Sequence, residues 1–183
     1  MNPWTVPNLL TWLRFACAFW VIVTIVTEYT NLAPFAGTAL WVFALGAATD
    51  WLDGYISRRY PGQRSRLGEL IDPPADKMLV GSYCAFLIVE GSLFGPVAFV
   101  CVALMVLREV LMTIWRGAKG ADLIPVRRLG KWKTGAQMAA LFLYGFVTVG
   151  KDLGMVPFAA LLIATAVTVW SFLDYVLAAR RTA

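Results

Sequence analysis

Four aspartates, Asp50, Asp53, Asp72 and Asp76, stand in two pairs within one polar stretch of the chain. The first pair is separated by three positions and the second by four, and either spacing puts both carboxylates on one face of a helix. Apolar sequence runs up to Asp50 and resumes just after Lys77, so these acids lie at or inside the edge of something very hydrophobic. Charge in such a place requires partners, water or cations. Two carboxylate pairs without basic residues at matching spacing point to a divalent metal site. Oxygen-only donors suit a hard ion, magnesium or manganese. The chain has no histidine, so proton transfer falls to carboxylate, lysine, tyrosine or cysteine.

The elements that position these acids are long apolar runs. Hydrophobic residues make up 60% of the 183 and charged residues only 15%, where a soluble domain of this size would be about half apolar and a quarter charged. The composition predicts an all-α integral membrane protein forming one domain over residues 1–183. Cys17, Cys84 and Cys101 all lie inside apolar runs without CxxC spacing, and read as small core residues, not a disulfide set or a zinc site.

Taken in order, M-N-P-W-T-V-P-N predicts a short interfacial segment, with Asn8 capping a first spanning helix over about 9–27. That run is too long for the core of a signal peptide and has no basic leader, so it reads as retained. Arg14 sits one or two turns inside it, either snorkelling to headgroups or serving the site. Pro34 fits the first turn of a second helix ending near Arg59, with Gly46, Ala47, Ala48 and Gly54 permitting close helix contact. A third helix is predicted over about 68–89, with Pro73 and Pro74 in its first turn or kinking it. A fourth spans about 97–115, a fifth about 134–149 with Gln137 on it, and a sixth about 156–179. Each run is close to the ~20 residues that cross a bilayer.

Base counting sets the orientation. Four arginines between Arg58 and Arg66, six Lys/Arg between Arg116 and Lys133, and Arg180 and Arg181 place twelve of sixteen on one side. Lys151 alone lies in the opposite loops. By the positive-inside rule both termini and the aspartates face the cytoplasm, which in a bacterium means the inner membrane. The excess accounts for the net charge of +5 without nucleic acid, and suits anionic lipids and phosphate substrates.

The run D50-W-L-D53-G54-Y-I-S57-R58, a spacer, then G68-E-L-I-D72-P-P-A-D76 resembles the signature of the CDP-alcohol phosphotransferases. Ser57 stands where that family usually has alanine, a small-for-small departure. The resemblance implies that Asp50, Asp53, Asp72 and Asp76 hold two ions, magnesium or manganese, and that Asp76 also acts as general base. It implies a CDP-linked lipid at Asp53, Gly54, Ser57, Arg58 and Gly68. The glycines would let cytidine and pyrophosphate approach the backbone, and the Arg58 fork would pair with the pyrophosphate. The family also places an N-terminal arginine near the nucleotide lipid, which makes Arg14 a candidate.

The D72-P-P-A-D76-K77 run, V6-P-N-L-L-T-W-L-R14, R108-E109 and L129-G-K-W-K-T-G-A-Q-M138 resemble phosphatidylglycerophosphate synthases. They imply CDP-diacylglycerol as donor, glycerol 3-phosphate as acceptor and CMP as product. The interval from Arg58 to Gly68 is more similar to CMP-forming cardiolipin synthases, which would take phosphatidylglycerol instead. A phosphate monoester needs cationic donors of its own. Candidates are Arg108, Arg116, Arg127, Arg128, Lys131 and Lys133, though Arg108 has pairing with Glu109 as its alternative. Small residues on the early helices and the family's habit lead us to expect a homodimer. The competing class is an ion-coupled transporter, against which stand the clustering of acids at one edge and the lack of an inverted repeat.

Overall fold

The computed structural model describes residues 5–29, 36–60, 66–90, 95–119 and 128–181, all helical apart from short turns. Six helices follow in order: α1 (Val6–Tyr29), α2 (Ala36–Arg59), α3 (Arg66–Val89), α4 (Gly95–Lys119), α5 (Arg128–Thr148) and α6 (Val156–Arg181). They are 21 to 26 residues long, enough for a hydrocarbon layer that needs about 20. Among the described residues, the stretches Val6–Thr27, Gly95–Trp115 and Val156–Leu177 are also apolar enough to cross a membrane. The other three helices fall short for one reason: each concentrates polar groups at one end. Those groups are Asp50 and Asp53 on α2, Asp72, Asp76 and Lys77 on α3, and Lys133 and Gln137 on α5.

The outward faces are as apolar as the cores. Phe19, Trp41, Trp51, Ile163 and Trp170 are all more than two-fifths exposed. Helices with no polar outer face are stable where lipid, not water, surrounds them. The chain is a membrane protein.

Two compact units divide the described chain: residues 1–91 with 148–150, and residues 92–147 with 151–183. In the first, α1 packs along both α2 and α3, which touch each other far less. Cys17, Ala18 and Val21 of α1, Leu40 and Phe43 of α2, and Leu79, Tyr83 and Phe86 of α3 are essentially buried. The Phe43 and Tyr83 rings stack with centroids 4.0 Å apart. Gly46 fulfils the close contact expected of it. A Cβ there would lie 2.6 Å from a Leu79 methyl, so the bare backbone lets that leucine pack in its present position, and any larger residue would force it to shift. Cys17, Cys84 and Cys101 are free and buried, as the small-core reading required.

In the second unit α4 packs along α6. The apolar α6 carries Thr165, Thr168 and Ser171 at three-residue spacing, all buried. Thr165 donates to the Leu161 carbonyl and Thr168 to the Ala164 carbonyl, so neither hydroxyl costs an unmet hydrogen bond in an apolar setting. Ser171 makes a longer-range contact, described below.

One expectation changes and two open alternatives narrow. Asn8 does not cap α1: the helix starts at Val6, the Leu9 amide bonds the Thr5 carbonyl at 3.1 Å, and Asn8 is buried inside the first turns. Proline at position 7 costs nothing, because first-turn amides have no helical partner. Pro73 and Pro74 are the eighth and ninth residues of α3, not members of its first turn, because the helix begins at Arg66. Both are exposed, with their rings outside the packed face. Arg14 does not snorkel, because it has no exposed surface at all. Pro34 and the first four residues lie outside the described residues.

Candidate functional site

Helix periodicity on α1 puts Thr11 and Arg14 on one face, a single turn apart. That face meets the polar ends of α2 and α3. The Arg14 guanidinium lies against three carboxylates: Asp53, Asp76 Oδ1 at 2.6 Å and Asp50 Oδ1 at 3.5 Å. The fourth, Asp72, accepts from the Thr11 hydroxyl, which also lies 3.1 Å from the Pro7 carbonyl. One hydroxyl proton serves one of these at a time. Both predicted pairs therefore converge on adjacent side chains of the first helix.

Burial is graded across the cluster. Arg14 is fully enclosed, the Asp53 side chain is 12% exposed, and Asp50 and Asp76 are 31% and 32% exposed. The inner wall is thus closed and the outer wall open to a ligand. Four carboxylates against one guanidinium leave a formal charge of −3, far too much for a half-buried place without further cations. The donors are hard oxygens, and the second oxygen of each acid lies outside the bonds just described. In charge and donor type the set suits divalent ions. Among the described residues, however, no three acidic or sulfur side chains are gathered tightly enough to chelate one ion. Three of the acids close on Arg14 instead.

Gly54 follows Asp53 directly on α2. Ser57 and Arg58 continue that helix, and Gly68 lies in the first turn of α3. The side chains of Ser57 and Arg58 and the surroundings of Gly68 lie outside the described residues.

A second polar cluster occupies the other unit. Glu109 on α4 accepts from Arg108 Nη1 at 3.1 Å and from Lys133 Nζ of α5. Arg108 Nη2 donates to Ser171 Oγ of α6 at 3.2 Å. Arg108, Lys133, Gln137 and Ser171 are all buried, and neither Arg108 Nε nor Gln137 Nε2 has a hydrogen-bond partner. Gln137 lies one turn beyond Lys133 on α5. Among the described contacts the cluster is rich in donors, with two cations against one acid, a set whose chemistry suits an oxyanion ligand. The side chains of Arg116, Arg128 and Lys131, and all of Arg127, lie outside the described residues. Sequence reasoning did not single out Thr11 or Ser171. The three-residue steps Thr11 to Arg14 and Thr165–Thr168–Ser171 were the available signals.

Comparison with known proteins bears on the family. The sequence profile of the CDP-alcohol phosphatidyltransferase family matches residues 4–170. A protein of Cereibacter sphaeroides named CDP-diacylglycerol–glycerol-3-phosphate 3-phosphatidyltransferase is 40% identical over 142 residues, 75% of this chain and 62% of that protein. One of the same name from Pectobacterium atrosepticum is 34% identical over 96% of this chain and 94% of its own length. The human cardiolipin synthase (CMP-forming) is 46% identical over 79 residues, 43% of this chain and 24% of that protein.

Proposed function

The chain belongs to the CDP-alcohol phosphatidyltransferase family, and from that premise we propose that it transfers the phosphatidyl group of CDP-diacylglycerol to glycerol 3-phosphate, releasing CMP. The observation that carries this reading is the end-to-end similarity to a protein named for that reaction. The buried, acid-rich cluster around Arg14 supports it. The human cardiolipin synthase is 46% identical over a shorter match of 79 residues, which makes phosphatidylglycerol the alternative acceptor.

Members of the family depend in general on a divalent metal. Asp50, Asp53, Asp72 and Asp76 would hold two ions, magnesium or manganese. Bound there, such ions neutralise pyrophosphate charge. The residues of the chain do the rest. Gly54 and Gly68 leave the backbone open to the nucleotide, and Arg58 pairs with the pyrophosphate, alongside Asp53 and Ser57. Asp76 takes the proton of the attacking hydroxyl on Oδ2, since Arg14 holds Oδ1. The acceptor oxygen forms a bond to the lipid-bearing phosphorus as the bond to CMP breaks, and CMP leaves with that electron pair. Arg108 and Lys133, with Arg116, Arg127, Arg128 and Lys131, bind the acceptor's phosphate monoester.

In this reading all six helices span the inner membrane as one domain, both termini and the aspartates facing the cytoplasm, on the base asymmetry given above. The protein acts as a homodimer. Light scattering in detergent should give a mass of two chains, and a single-chain mass would remove that element. The test of function is purified protein with CDP-diacylglycerol, magnesium and either acceptor. CMP is expected with glycerol 3-phosphate and not with phosphatidylglycerol; the reverse result would make the protein a cardiolipin synthase. No CMP with either would return the carboxylates to ion transport.

A further inference from the structure

In the cluster of four acids, three close around one buried side chain. Arg14 has no exposed surface, lies within 3.5 Å of Asp50, and pairs with Asp53 and Asp76. Its Nε has no partner, so its contacts are with the acids and not with the backbone around it. An arginine put there only to pack would cost a large desolvation penalty for no gain over leucine. What it offsets is the mutual repulsion of acids brought together by three helices.

We propose that Arg14 is the resident counterion of the metal site, a positioning residue that holds Asp50, Asp53 and Asp76 together before ions bind and competes with those ions for the same carboxylates. The inference rests on the reading of these acids as metal ligands, and it agrees with a geometry in which three of the four acids close on Arg14. Competition has a thermodynamic signature. Removing the guanidinium leaves four acids facing one another, so the metal-free protein loses stability while the affinity for a divalent cation rises. A structural residue would lower stability alike with and without metal.

The test uses full-length protein in detergent, with Mn2+ binding followed by its electron paramagnetic resonance signal. Arg14→Gln is expected to bind Mn2+ at least about tenfold more tightly than wild type, the scale of one nearby charge removed under full water screening. Its melting temperature should fall in EDTA and recover most of the deficit in saturating magnesium. Arg14→Lys keeps the charge but reaches fewer carboxylates, so it should stay folded in EDTA and bind Mn2+ a few-fold more tightly than wild type. Equal or weaker Mn2+ binding by both variants, or a deficit in Arg14→Gln that magnesium does not reduce, would overturn the proposal. Wild-type protein that binds no Mn2+ would overturn the metal reading itself, and this inference with it.

Discussion

Asp76→Asn should lose activity by well over the ~100-fold typical of a removed catalytic group, and added magnesium should not restore it. The substitution keeps size and shape at a position that is one-third exposed. Arg14 would retain Asp50 and Asp53, so the packing of α1 against α2 and α3 survives. On the proposed mechanism, what disappears is a negative ligand and the proton acceptor. Asp72→Asn separates these losses. Asp72 meets only Thr11 in the described contacts, and the proposed mechanism gives it no part in proton transfer, so its substitution would remove a ligand charge alone. It should also fall by about 100-fold or more, but part of its activity should return as metal is raised, because weaker binding can be saturated. The measurement is CMP release against magnesium concentration for wild type and both variants, with circular dichroism to show that each is helical. Activity of Asp72→Asn near wild type at ordinary magnesium would remove it from the metal site. Recovery of Asp76→Asn by metal alone would leave Asp76 a ligand and not a base.

The difference between these two aspartates marks how far sequence could reach. Spacing on one helix is legible, because i,i+3 and i,i+4 positions share a face whatever the helix packs against. Both acid pairs, and the six helices, follow from that rule and from hydropathy. What spacing cannot supply is the register between helices. Arg14 lies 39 positions from Asp53 and 62 from Asp76, and nothing along α1 announces that its arginine faces inward and not the headgroups. A buried cation in an apolar helix is ambiguous until its partners are known, since both outcomes begin from the same desolvation cost. The same holds for Ser171, a small hydroxyl in an apolar run that shows its purpose only beside Arg108. Boundaries slipped for local reasons. Thr5 took the start of α1 from Asn8, and α3 extended back to Arg66 and carried its two prolines inward.

Register also decides which cation should report the acceptor. From sequence Arg108 is the most telling, because it lies furthest into an apolar run. The structure commits both its terminal nitrogens, one to Glu109 and one to Ser171, so its loss would strip the buried Ser171 hydroxyl of this donor and confound binding with folding. Lys133 is the cleaner probe. It shares Glu109 with Arg108, and Lys133→Ala leaves that carboxylate still paired. If Lys133 binds the monoester of glycerol 3-phosphate, its removal deletes a charge-assisted hydrogen bond worth about 1.5–3 kcal/mol. That corresponds to a rise in KM for glycerol 3-phosphate of roughly 10- to 100-fold at about 1.4 kcal/mol per factor of ten. The KM for CDP-diacylglycerol should move by less than about threefold, since the proposed mechanism assigns its pyrophosphate to Arg58 and to cations held by the aspartates. Steady-state kinetics with each substrate varied at saturating levels of the other measures both values. Equal increases would mean that Lys133 acts through the fold, and a fall in kcat with both KM values unchanged would place it outside acceptor binding.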